Sequence, residues 1–149
     1  MARRIRRVVS RLEDVVHEGQ VTYGQSASGP ERVAALLRPL IGDRAQETFA
    51  VLLLDGRHRV AAISEVHVGT TTVCPVHPVN VFGDAVRLNA AAIVVAHNHP
   101  SGDPEPSQED LELTRRLIDC GKLLGIPLLD HLVIGDGTFV SLRERVSFA

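Results

Sequence analysis

Aromatic side chains are scarce in this sequence: 149 residues include no tryptophan, one tyrosine and four phenylalanines. A core must therefore be built from Val, Leu, Ile and Ala, and no basic-aromatic platform is present on which single-stranded bases could stack. Cysteine is almost missing as well. Cys74 and Cys120 are the only two and neither belongs to a C-x-x-C pair, which excludes a disulfide framework and leads us to expect a cytoplasmic protein with apolar thiols. The apolar run at residues 90–96 is far too short to span a bilayer. Residues 1–12 are basic but lack the apolar stretch of a signal peptide. No excess of one charge is present either. A net charge of −2 predicts no general affinity for nucleic acid or anionic membranes.

What remains suits a single globular domain, with 44% apolar and 23% charged residues. Residues 1–29 read as a basic N-terminal helix and linker. Arg3, Arg4, Arg6, Arg7 and Arg11 alternate with Val and Ile at helical spacing up to Glu18, and a Gly-Ser-Gln stretch follows. The globular part, residues 30–149, opens with Pro30 in the first turn of a helix over 31–41. Strands are predicted at 48–54 and 60–68, joined at Asp55-Gly56. A short strand follows at 73–76, then a helix over 78–88 with Val81, Phe82, Ala85 and Val86 inward. A buried strand at 91–96 runs into His97. Three prolines stiffen the loop at 100–106. A helix over 107–124 turns Leu111, Thr114, Leu117, Ile118 and Leu124 to the core and stops at Gly125. Strands at 127–134 and 138–142 close the chain. Interleaved strands and helices with two hairpins imply an α/β (α+β) fold, a mixed β-sheet flanked by helices.

The chemistry concentrates after the buried strand, at His97-Asn98-His99-Pro100, then Ser107 and Asp110. Two histidines at i and i+2 point to one side of an extended segment. Two imidazoles and a carboxylate suit a borderline-soft divalent cation, with zinc the first choice, and three protein ligands leave the fourth position open as in catalytic sites. Ser107-x-x-Asp110 is also a capping box, and capping alone would explain both residues. Both readings stand at this point.

The stretch from His97 to Pro104, with Pro106-Ser107 and Asp110, resembles the signature of the RadC family, which carries the JAMM (MPN+) metalloprotease motif: His-x-His-Pro followed by Ser-x-x-Asp. Ala90-Ala91-Ala92-Ile93, Leu124-Gly125-Ile126 and Leu129-Asp130-His131 are similar to the family too, and the resemblance covers about Pro30 to Arg143. It implies a JAMM/MPN-like fold with cytidine-deaminase-like layering. It implies His97, His99 and Asp110 as zinc ligands and Ser107 as a donor to the reacting oxygen. It also implies a glutamate just before the first strand, which is Glu47, with Glu65 as runner-up; Glu65 on an alternating strand reads better as an outward residue. The activity implied is hydrolysis of a peptide or isopeptide bond, with a peptide or ubiquitin-like protein as substrate. Asp130 and His131 face opposite ways on their strand. One of them would back a ligand imidazole, although a satisfied structural pair is the preferred reading. His67 and His77 flank a Gly-Thr run and are read as surface residues, as are His17 and His58.

Three features depart from the family pattern. The leading segment is too short for the helix-hairpin-helix module of longer members, so a short form is expected. Val79-Asn80 follows His77-Pro78 where Arg-Glu is usual, and the Arg-rich start has no counterpart. The rival readings are a DNA-associated repair accessory protein, whose arginines would contact phosphates with steep salt dependence, and an inactive scaffold. Negative net charge opposes the first, and the complete residue set opposes the second.

Overall fold

A computed structural model of the chain describes residues 24–68 and 76–149. The basic helix expected at the N-terminus, His17, most of the expected linker, Cys74 and the strand expected at 73–76, apart from Val76, lie outside the described residues.

The strands β1 (Thr48–Leu54), β2 (Val60–Val68), β3 (Ala92–Asn98), β4 (Leu128–Ile134) and β5 (Phe139–Ser141) form one sheet in the order β2-β1-β3-β4-β5. Only β3 and β4 run parallel. Both β1 and β3 are buried along their whole length, which explains why each reads as an unbroken apolar run rather than an alternation. The helices are α1 (Pro30–Leu37), α2 (Pro78–Arg87) and α3 (Gln108–Leu124). Helix α1 packs Val33, Ala34 and Leu37 on one face of the sheet, against Ala50, Leu52, Leu54, Val94 and Ala96. On the other face Val81, Phe82 and Ala85 of α2 and Leu117 and Ile118 of α3 meet Phe49, Val51, Leu53, Ile93 and Val95. Each large aliphatic side chain so buried contributes about 1.5–3 kcal/mol. The fold is the mixed α+β sheet the sequence predicts.

Local departures have local causes. The helix expected over 31–41 is α-helical only to Leu37 and then widens into a π turn, Arg38–Gly42. Pro39 has no N–H to return to the preceding turn, so regular α geometry cannot continue through it. At the first hairpin Gly56 does not take the positive φ; His58 does, at 57°. The Asp55 carboxylate shapes that turn instead by accepting from the N–H groups of Arg57 and Arg59. Val86 and Leu124, expected inward, are exposed. Val86 lies one step around α2 from the Val81–Phe82–Ala85 stripe. Leu124 precedes Gly125, whose φ of 71° turns the chain so that Ile126 fills the core in its place.

The sheet delivers three chain segments to one end. β1 begins where β3 ends, since Phe49 pairs with His97. β4 runs alongside, with His131 beside Val95 and Val133 beside His97. The loop after β3 is anchored where Gly135 approaches it. A Cβ at Gly135 would strike the carbonyl of Gly102 and the ring of Pro104, and the Asp136 N–H donates to that same carbonyl at 2.8 Å.

Candidate metal centre

His97 is the last odd-numbered residue of β3 and so projects to the α3 side, as Ile93 and Val95 do. His99, two residues on, reaches the same side, and their Nε2 atoms lie 3.1 Å apart. Asp110 arrives from the first turn of α3. Its Oδ1 is 3.2 Å from His97 Nε2 and its Oδ2 is 3.2 Å from His99 Nε2. The capping box exists too: Ser107 Oγ accepts from the Asp110 N–H, and Asp110 Oδ2 accepts from the Ser107 N–H. The two readings of Ser-x-x-Asp are one arrangement, because the cap holds the carboxylate at the angle that faces the imidazoles. Ser107 is exposed, and its own hydroxyl proton has no acceptor among the described residues.

Glu47 comes to the same place, with Oε1 3.7 Å from His97 Nε2 and its side chain 52% exposed. Its position is set by Asn98, the buried residue between the histidines. Being even-numbered, Asn98 projects to the opposite face. There its Oδ1 accepts from the Thr48 N–H at 2.6 Å, and its Nδ2 donates to the carbonyls of Arg44 and Gln46. The amide thus grips the backbone on both sides of Glu47. Glu65 does not join: it pairs with Arg44 at 2.6 Å on the outer strand. His58 and His77 are exposed, as expected.

The ring protons can be assigned from the partners. His99 Nδ1 lies 2.9 Å from the Asp103 carbonyl, which only accepts, so Nδ1 carries the proton. Thr114 Oγ1 gives its single proton to the Asp110 carbonyl at 2.7 Å, and therefore accepts from His131 Nδ1, also at 2.7 Å. His131 is fully buried, and desolvation pushes its pKa well below the ordinary histidine value, so the ring is neutral and its Nε2 is an acceptor. His97 Nδ1 must then donate to it across 2.8 Å. Phe49 stacks on His97 with 8° between the planes and meets His131 edge-on. In the neutral rings both Nε2 atoms consequently present lone pairs to each other and to Asp110. Burial raises the pKa of the Asp110 carboxyl, but hydrogen bonds from the two imidazoles, when a proton sits on Nε2, outweigh it and hold the group far below the carboxylate range. The hydrogen bond that protonated His99 donates to Asp110 raises its pKa.

A family model of the RadC-like JAB domain matches residues 27–147. The chain belongs to the RadC family. It is 50% identical over 116 residues to a UPF0758 protein of Moorella thermoacetica, covering 78% of this chain and 51% of that protein. It is 49% identical over 122 residues to one of Xanthomonas oryzae pv. oryzae, covering 82% and 54%. The chain therefore spans about half the length of the curated relatives it matches.

In this RadC domain the donor set fits a divalent ion. Ligands held at about 2.0–2.1 Å in a tetrahedron lie roughly 3.3 Å apart; the two Nε2 atoms are 3.1 Å apart, and each lies 3.2 Å from its nearer Asp110 oxygen, Oδ1 for His97 and Oδ2 for His99. Glu47 stands further off, although donor atoms from all four residues fall within 4.8 Å of one another. Sequence reasoning missed Asn98 and the role of Thr114, and its preferred reading of Asp130 and His131 as a structural pair needs correction. Asp130 turns to the α1 side, where it accepts from Ser141 Oγ and the His131 N–H, while the His131 ring backs His97. The signal available was a polar Thr114 on the buried face of α3, one turn beyond Asp110. Among the described residues, no helix is long and apolar enough to cross a membrane.

Proposed function

We propose that this RadC domain is a zinc-dependent hydrolase of peptide or isopeptide bonds, with a peptide or a ubiquitin-like protein as substrate. The observation that carries the reading is the convergence of His97 Nε2, His99 Nε2 and an Asp110 carboxylate, three acceptors while both rings are neutral. Such a cluster is repulsive until a cation occupies it. His97, His99 and Asp110 would hold the ion. A bound zinc ion lowers the pKa of adjacent water toward neutrality and polarises a carbonyl.

The chain's own residues supply the rest. Glu47 is half-exposed and unpaired with any Arg or Lys among the described residues, so its carboxylate is free to take a proton from the attacking water and pass it to the leaving amine. Ser107 keeps a hydroxyl proton for the developing oxyanion. Phe49 covers a face of the His97 ring. The DNA-associated reading relies on arginines outside the described residues, and no observation favours it.

The test is zinc content of the purified protein, followed by a panel of linear and isopeptide-linked substrates. Wild type should bind one zinc and His97→Ala none. Glu47→Gln should keep the metal and lose cleavage. A wild-type protein without affinity for zinc, or full turnover by Glu47→Gln, would overturn the assignment.

A further inference from the structure

Behind the three converging acceptors lies a chain of hydrogen bonds that leads back to His97. It starts at the backbone carbonyl of Asp110, which accepts from Thr114 Oγ1 at 2.7 Å. Thr114 Oγ1 accepts from His131 Nδ1 at 2.7 Å. His131 Nε2 meets His97 Nδ1 at 2.8 Å, and His97 Nε2 faces the Asp110 carboxylate at 3.2 Å. His97, Thr114 and His131 are all buried, so water does not offer substitute partners. The chain ties together residues from β3, α3 and β4.

We infer that Thr114 and His131 are positioning residues that lock His97 in the Nδ1–H tautomer, and so keep its Nε2 lone pair available for a metal ion. The logic runs through one proton. A threonine hydroxyl has a single hydrogen, and a carbonyl can only accept it. That commits the threonine oxygen to accepting from His131, which fixes the His131 tautomer, which in turn fixes that of His97. A ring nitrogen's readiness to bind metal depends on the hydrogen bond its other nitrogen makes. His99 reaches the same state by a shorter route, through the Asp103 carbonyl. The difference matters. The Asp103 carbonyl cannot reverse its polarity, whereas the His131–Thr114 chain can reverse if its terminal acceptor is removed.

Without the Thr114 oxygen, His131 Nδ1–H has no acceptor. The ring then favours the Nε2–H tautomer, which donates to His97 Nδ1 and moves the His97 proton to Nε2, where it blocks the metal. Thr114→Val should therefore weaken zinc binding although Thr114 touches no proposed ligand side chain, and Thr114→Ser should restore it.

This inference rests on the metal reading above, and two readouts separate their failures. The first is the nitrogen-15 shift pattern of the ring nitrogens in metal-free, histidine-labelled protein at mildly alkaline pH. Wild type and Thr114→Ser should show protonated Nδ1 and bare Nε2 on both His97 and His131. Thr114→Val should show the reverse on both. The second is affinity for zinc chloride, which should fall about tenfold to a hundredfold in Thr114→Val and His131→Leu and recover in Thr114→Ser and His131→Gln. Glutamine keeps an acceptor for His97 and a donor for Thr114. A wild-type His97 protonated at Nε2 would overturn the inference, as would unchanged zinc affinity in folded Thr114→Val. Should wild type bind no zinc at all, the metal reading fails, and the tautomer pattern alone then upholds or overturns the relay.

Discussion

Asn98→Ala is the substitution that most directly asks whether Glu47 is held in place or merely lies near the histidines. Asn98 and Thr48 are both fully buried. Loss of the amide leaves the Thr48 N–H without its 2.6 Å partner, and an unsatisfied buried donor costs about 1–3 kcal/mol. The carbonyls of Arg44 and Gln46 lose bonds of 3.1 and 3.2 Å, each worth roughly 0.5–1.5 kcal/mol. The total is about 2–6 kcal/mol. At roughly 2–4 °C per kcal/mol for a chain of this size, the melting temperature should fall on the order of 5–20 °C. The effect on cleavage is separate. None of the three closely spaced donors depends on Asn98, so zinc affinity should hold, while a displacement of Glu47 by about 1 Å should lower kcat about a hundredfold. Thermal melts, zinc titration and kcat on one preparation distinguish these effects. Asn98→Asp is the control. It keeps the acceptor for Thr48 but turns both donors into a carboxylate facing two carbonyls. Burial there raises its folded pKa above the unfolded value, so the damage should grow as pH rises past about 4. A folded Asn98→Ala protein that melts with wild type, or that cleaves at the wild-type rate, would refute the clamp.

Further outcomes follow from the same geometry. Ser107→Ala removes an N-cap and should cost about 0.5–2 kcal/mol of stability; a drop in kcat of about a hundredfold or more beyond that marks the hydroxyl as an oxyanion donor, and stability loss alone limits it to capping. In metal-free protein the His99–Asp110 pair raises the folded pKa of His99. Its stabilisation is thus complete below the unfolded value of about 6.5 and is lost as pH climbs through the folded value. Melts in chelator should decline across that window, and His99→Gln should flatten the decline. Gly135→Ala places a methyl against the Gly102 carbonyl and Pro104, so it should push the His99 loop outward and weaken zinc binding, read by titration against the wild type.

The sequence alone determined the elements whose periodicity or punctuation is local. The uniform apolar runs of β1 and β3 read as buried strands because both of their faces are covered, and Ser107-x-x-Asp110 announced the start of α3 because capping involves only neighbours in the chain. His97-x-His99 placed two imidazoles on one side because strand geometry alternates every residue. Even the dual role of Asp110 was open to reading, since its cap and its ligand position are satisfied by one orientation. Glu47 came from the resemblance to RadC rather than from its own surroundings, because a glutamate at a strand start looks like any surface residue until Asn98 is seen gripping its flanks. The tertiary structure decided what depends on partners distant in the chain. Only packing of β4 beside β3 and under α3 brings His131 between Thr114 and His97, and the proton on each ring is dictated by those partners, not by the residue type. His58 taking the positive φ of the first hairpin from Gly56 is a smaller and more local case, in which hydrogen bonds to the Asp55 carboxylate overrode the single-residue preference.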